Sequence, residues 1–513
     1  MTQSRLVTFL LAGVLLSTAR STATEFEVTY TRAVRPGPVS ARVYVMVGLS
    51  RKMLEARKYE PRNGPGLFLP EPCYAVDAKA WEPGEPLNVG ADALGTPGPP
   101  STLPPGDYVA QAVVRLNPDT HKIGDGVGNA YGPIVPFKVG RGVPNDRPVR
   151  LAVDTVVKAP KLQESDRIKF VEIESPLLSA FHGRPIKHRA TVALPANPGP
   201  DTSPAALYVI PGFGGDHVSA LRPVNTRGNA MRLELGVRGD PAFDFGKSLI
   251  RVYLDPDCGT GHHAFADSAF NGPRGRALVE ELIPHIERTF HAGSAPRTRL
   301  LNGHSSGGWS SLWLQVTYPD TFGGVWTTSP DPVDFRDFQK VNLYAPGANL
   351  FRDAGGRRRP ISRLLPSVLL GGVLYFDTFS KMEDVIGDGG QLHSFEAVFS
   401  PLGPEGRPRP LYDRATGAVD PQVAGAWEAY DIRLKLERNW PTLGPKLKGK
   451  LRVFVGDRDT FLLEGPVKLL KASLEKLGSD AVVEVVPGRD HFNLMDPAFA
   501  RRFDREMTAA SGL

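Results

Sequence analysis

The stretch Gly303-His304-Ser305-Ser306-Gly307-Gly308-Trp309 constrains this chain more than any other. It contains Gly-x-Ser-x-Gly, the pattern in which a serine sits on a sharp turn between a strand and a helix. Glycines beside such a serine let strand and helix approach closely and remove Cβ atoms that would oppose the turn. The flanking sequence supplies the context that the pattern requires. Thr298-Arg299-Leu300-Leu301-Asn302 reads as a short strand, and Trp309 to Tyr318 reads as a helix ended by Pro319. Taken alone, the pattern also fits a glycine turn that merely packs a helix on a sheet.

The sequence around it alternates strands and helices. Lys169 to Ile173 and Arg189 to Leu194 look like an opening antiparallel pair, and Ala206 to Ile210 and Leu249 to Leu254 look like buried strands. Leu278, Leu282, Ile286 and Phe290 fall on one face of a helix, with Pro284 inside it as a possible kink. Gly323 to Thr328, Leu451 to Val455 and Val482 to Val486 are further strands, the last two separated by a helix around Val467 to Leu477. Such alternation implies a mostly parallel sheet with helices on both faces, an α/β architecture over residues 165–513. Between about 330 and 449 the alternation stops. This long, mixed segment reads as an insertion or cap over the site.

Residues 24–160 have a different character. Phe26, Val28 and Tyr30, then Val43, Val45 and Val47, alternate with period two. Tyr108 to Leu116 and Gly132 to Val139 are further candidate strands, and Pro83 to Pro105 reads as loop. A small antiparallel, Ig-like β-sandwich follows from this pattern. Ahead of it, residues 1–23 read as a cleavable export leader. Arg5 precedes the apolar run Leu6 to Leu16, and the small residues Ser21 and Ala23 suit cleavage after Ala23, with Ala19 as another site. The run is short for a membrane span, so the expected product is secreted or periplasmic, with no span in the mature chain.

The 513 residues suffice for more than one core, and their net charge of +6 is modest. Arg357-Arg358-Arg359 reads as a solvated loop, so no nucleic-acid partner is expected. Cys73 and Cys258 are the only cysteines. They fall in different domains and read as free buried thiols, although an oxidising compartment permits a disulfide between them.

An activated serine needs a base and an acid that orients the base. In this architecture they follow the nucleophile in the order serine, acid, histidine. Past the strand Val453-Phe454-Val455 lie Asp457 and Asp459, and past Val485-Val486 lies His491. Sites form at the carboxyl ends of parallel strands, which is where these residues fall. His491 is therefore the candidate base, and Asp459 or Asp457 the acid. Asp490 is expected to face elsewhere, and His393 lies in the insertion. The oxyanion of a tetrahedral intermediate needs two N–H donors. One is expected from Ser306, the other from Phe213 in the loop Pro211-Gly212-Phe213-Gly214-Gly215, with Gly212 or Gly214 as substitutes. His262, His263 and His304 are candidate substrate contacts. With Asp255 and Asp257 the first two do not form a recognised zinc spacing, and no metal or organic cofactor is expected.

The Ala206 to Gly215 segment, Asn271-Gly272-Pro273, Gly303 to Trp309, Gly456 to Asp459 and the His491 loop together resemble the putative-esterase family of α/β hydrolases. That family includes esterase D (S-formylglutathione hydrolase), feruloyl and acetyl-xylan esterases, enterochelin esterases and mycolyltransferases. The resemblance runs from Lys169 onward, less much of the insertion. It implies a triad of Ser305, Asp459 and His491, and it is what favours Asp459 over Asp457. It also implies cleavage of a small-molecule or glycan-linked carboxylic ester. Acyl transfer, peptide hydrolysis and glycan binding through the sandwich are the rival expectations.

Overall fold

Among the described residues of this computed structural model, eight strands form the central sheet: β1 (Ile168–Glu174), β2 (Lys187–Ala193), β3 (Ala206–Ile210), β4 (Ile250–Leu254), β5 (Arg299–His304), β6 (Gly324–Thr328), β7 (Leu451–Gly456) and β8 (Val482–Val486). The structure describes residues 24–49, 60–66, 71–140, 147–195, 203–219, 248–363 and 373–512. The leader read on residues 1–23 lies outside them. Strand order is β1-β2-β4-β3-β5-β6-β7-β8. The strand β2 runs antiparallel to both neighbours. From β4 to β8 every pair is parallel.

The central strands are apolar on both faces because both faces are covered. Every residue of β3, β4 and β6 is buried, as expected for parallel strands between helical layers. Alternate residues feed two cores. Tyr208, Val252, Leu301 and Val453 face one of them. Leu207, Tyr253, Leu300 and Phe454 face the other, which is closed by Phe503 and Met507 of the helix Pro497–Ser511. The sequence reading left that last helix unassigned.

Two local readings are refined. The helical stretch Arg274–Ala277 passes through a π turn at Leu278–Leu282 before resuming at Ile283–Phe290. That turn sits just ahead of Pro284, whose missing N–H cannot complete an α-helical bond. A helix at Pro176–His182, capped by Ser175 Oγ on Leu178 N–H, was also missed.

Among the described residues, the N-terminal sandwich stacks a three-stranded sheet on a seven-stranded one. It is not wholly antiparallel, because Phe26–Tyr30 pairs in parallel with Val149–Val153. The proline-rich span read as loop contains the short strands Leu87–Val89 and Leu94–Thr96. The strand Val39–Leu49 is buried on both sides from Val43 to Val47. Val43, Val45 and Val47 enter the sandwich core, while Tyr44 and Met46 enter a second cluster with Val385. Cys73 and Cys258 are both buried and unpaired.

The elbow helix α1 (Ser306–Thr317) has buried residues from Ser306 to Val316. One side lies on the sheet. The other lies under aromatic residues from the segment between β6 and β7, which carries helices α2 (Phe376–Ile386), α3 (Gln391–Phe399) and α4 (Ile432–Leu447). Trp309 meets Phe399 at 5.0 Å between ring centroids, and Phe399 meets Trp427 at 5.1 Å. The helix α4 packs directly beside α1, as a crossover helix between parallel strands. The sandwich closes the far end of α2, where helix carbonyls lack partners. Arg42 donates to Asp384 O and Val385 O, and Tyr44 OH donates to Ile386 O at 2.6 Å.

Among the described residues, no helix is long and apolar enough to cross a membrane. Arg357 and Arg358 pair with Asp353 and Asp377, and Arg359 donates to the carbonyls of Arg352 and Lys340.

Candidate active site

Ser305 occupies the turn between β5 and α1 with φ 57° and ψ −124°, a conformation costly for a residue with a side chain. Three hydrogen bonds hold it there. Its N–H donates to Thr328 O at 3.1 Å, and its carbonyl accepts from Trp309 N–H at 3.0 Å and Asp331 N–H at 3.1 Å. The elbow glycines are dictated by contact. A Cβ on Gly303 would fall 2.0 Å from Gly307 O, and one on Gly307 would fall 2.0 Å from Ile210 O. The elbow is thus clamped against the ends of β3 and β6.

His491 follows β8 and Asp459 follows β7. His491 Nδ1 donates to Asp459 Oδ2 at 2.9 Å, and both side chains are essentially buried. That bond leaves Nε2 as the basic nitrogen. Asp459 Oδ1 accepts from Phe461 N–H at 2.9 Å. Burial alone would raise the Asp459 carboxyl, but the His491 imidazole and the Phe461 N–H bring it below its ordinary value. Phe461 sits edge-on to the imidazole at 4.8 Å, and His304 lies against it at 4.5 Å. Asp457 has a different task. Its Oδ1 accepts from Gly488 N–H at 2.7 Å, bracing the turn that leads to His491. Asp490 points away, folded onto the N–H groups of Phe492 and Asn493.

The glycine loop after β3 is a tight turn. Gly215 N–H donates to Gly212 O at 3.0 Å, and Gly214 has φ +83°, so Phe213 and Gly214 occupy its two central positions. The loop lies on the nucleophile, because a Cβ on Gly212 would meet Ser305 Cβ at 3.2 Å. Ser306 begins α1, where the first N–H groups have no partner within the helix.

His262 is read differently from expectation. Its Nε2 donates to Pro211 O at 2.9 Å and its Nδ1 accepts from Ala264 N–H, so it props the glycine loop. Burial pushes its pKa down to about 4. His263 is buried and accepts from Phe265 N–H, and burial holds it well below the usual histidine value. His304 hydrogen-bonds Thr328 Oγ1 at 3.0 Å and its ring lies tilted against that of His491. Among the described residues, no group of three or more His, Cys, Asp or Glu could hold a metal ion.

Two further contributors escaped the sequence reading. Asp331, buried just past β6, accepts from Ser306 Oγ at 2.5 Å. It ends a parallel strand on the site side, a position that marks candidate residues. The second is a loop of the sandwich. The His121 ring lies 5.3 Å from Phe213, its Nδ1 meets Asp257 Oδ1 at 2.5 Å, and Lys122 pairs with Asp216 beside the glycine turn. Nothing local in the sequence links residue 122 to residue 216.

The strand order, the single antiparallel β2 and the serine turn after β5 define an α/β hydrolase. Residues 267–464 match the model of the family described as Putative esterase. Over that stretch the chain is similar to this family, and the match supports ester hydrolysis as the reaction class. The stretch holds Ser305 and Asp459 and ends before His491. Similar solved structures include a ferulic acid esterase, 13% identical, covering 67% of this chain and 98% of its own with a TM-score of 0.37. An S-formylglutathione hydrolase from Agrobacterium tumefaciens is 14% identical, covering 69% and 98%, with a TM-score of 0.37. FphF, a fluorophosphonate-binding serine hydrolase of Staphylococcus aureus, is 16% identical, covering 67% and 98%, with a TM-score of 0.35. A comparison with curated proteins returned no match.

Proposed function

We propose that this chain is an exported serine hydrolase that cleaves carboxylic esters through an acyl-enzyme. The observation that carries the reading is the buried His491–Asp459 hydrogen bond beside a serine held at positive φ. In the proposed reaction, Ser305 Oγ attacks the ester carbonyl as His491 Nε2 takes its proton. The N–H groups of Phe213 and Ser306 receive the developing oxyanion. The C–O bond to the alcohol breaks, and His491 returns the proton to the departing oxygen. Water then repeats the sequence on the acyl-serine and releases the acid. Asp459 keeps Nδ1 protonated and stabilises the imidazolium. Export rests on the leader composition of residues 1–23.

The test is covalent labelling of the whole protein by a fluorophosphonate, with the labelled peptide found by mass spectrometry. Labelling at Ser305, absent in His491→Ala, is the expected result. Ser305→Ala should lower turnover of an aryl ester by about 10⁴-fold or more while leaving the melting temperature nearly unchanged. Labelling elsewhere, or full turnover by Ser305→Ala, rejects the assignment.

A further inference from the structure

A cleft of about 1180 Å³ opens where the sandwich, the α/β domain and the segment between β6 and β7 meet. No member of the proposed triad or glycine loop lines it. Its carboxylates already have side-chain partners. Asp77 is taken by Arg42, Asp119 by Arg184, Asp388 by Arg407 and Asp257 by His121. Asp384 stands 3.8 Å from Arg414 and 3.9 Å from His393.

Two guanidinium groups in the cleft are not matched in this way. Arg115 donates to the carbonyls of Thr120, Gly259 and Asp388. Arg274 donates through Nε to Asn271 O at 3.0 Å. Among the described residues, neither meets a carboxylate within ion-pair distance. Asn271 adds an unused donor. The residue is 4% exposed and its Oδ1 accepts from Thr260, yet its Nδ2 has no partner. A buried amide left in this state costs free energy until a ligand acceptor reaches it. The local potential is positive enough to be felt by a neighbour, since burial and the Arg274 charge both hold His182 below its usual pKa.

We propose that this cleft is a binding site for a polar small molecule bearing a carboxylate or phosphate group. An oxyanion supplies the acceptors that the Arg274 fork and Asn271 Nδ2 lack, while Arg115 adds charge from the sandwich side. The volume exceeds what a lone ion needs and suits a ligand of sugar-acid or sugar-phosphate size. The site is separate from the proposed hydrolytic one, and its test does not depend on ester turnover.

Inorganic phosphate and glucuronate are titrated calorimetrically into the whole protein, each up to about 50 mM, a ceiling that still detects weak binding. Saturable binding of at least one is expected, and the stronger of the two identifies the group recognised. Arg274→Gln should weaken it by about tenfold or more, the loss of a charge-assisted fork. Absence of binding by both probes overturns the proposal, as does unchanged affinity in a folded Arg274→Gln. Should that variant fail to fold, phenylglyoxal modification of the wild-type chain decides. The bound anion should slow modification of Arg274 and leave exposed Arg357 unaffected, and equal rates with and without anion at Arg274 reject the site.

Discussion

Asp331 places a carboxyl, 5% exposed, between the Ser306 hydroxyl and the electrostatic reach of His491 and Asp459. Burial raises its pKa to about 6, against the lowering effect of the Ser306 hydrogen bond. The native protein therefore holds a proton there that the unfolded chain, with an ordinary carboxyl near 3.8, releases earlier. Stability from this group is fully present below about pH 4 and is lost as pH rises through about 6. Asp331→Asn lacks that titration. Relative to wild type it should gain on the order of 2 kcal/mol between pH 4 and pH 7, measured by denaturant midpoints at both values. Parallel shifts at the two pH values would show that Asp331 does not titrate in this window. At the same scale, the choice between Asp457 and Asp459 illustrates what a sequence withholds. Both follow one strand by a few residues, and only the turn geometry separates them. Gly456 is so close to Arg489 O that a Cβ there would lie 2.1 Å away. This contact packs the β7 turn against the His491 loop, and Asp457 then ties that loop while Asp459 turns inward to the imidazole.

The sandwich loop from Pro118 to Ile123 is the element whose role is least visible in the chain itself. A Cβ on Gly259 would fall 1.9 Å from Pro118 O, so the two domains touch backbone to backbone beside the glycine turn. The Lys122–Asp216 pair is shielded, with side chains 12% and 9% exposed, and removing one partner leaves a poorly solvated charge. Lys122→Met should therefore lower kcat for an aryl ester by about tenfold, with KM within about twofold, because the loss falls on oxyanion placement and not on ground-state binding. A melting curve checks that the fold survives. Unchanged kcat would reduce the loop to a packing contact. Periodicity at the sandwich strand Val39–Leu49 misled in an instructive way. The valines at 43, 45 and 47 suggest one buried face, but Tyr44 and Met46 between them are also apolar, and α2 covers that second face. The run itself carried the signal that another element packs there.

Across the whole molecule, the parts legible from sequence were those with strong local causes. The buried strands β3, β4, β6 and β7 are short and mostly apolar, and the alternation of strands with helices implies a parallel sheet. The serine turn, the late histidine and the following-strand aspartates sit where that sheet requires them. Contacts between distant segments were not legible, because neither a 94-residue separation such as Lys122 to Asp216 nor the aromatic layer over α1 leaves a periodic trace. A chain beginning at Lys158, which lacks the sandwich, should keep much of its far-ultraviolet circular dichroism yet turn over an aryl ester at least about tenfold more slowly than the whole protein. Full activity in that shorter chain would separate the domains functionally. The contributors to the proposed chemistry are spread from Lys122 in the sandwich to His491 after the last strand. Synthesis that stops early leaves out the base, and a protease that clips the sandwich away removes the brace on the glycine turn. On the proposed mechanism the first partial product is silent and the second is slowed, so full cleaving power appears only in copies that have been made and kept intact.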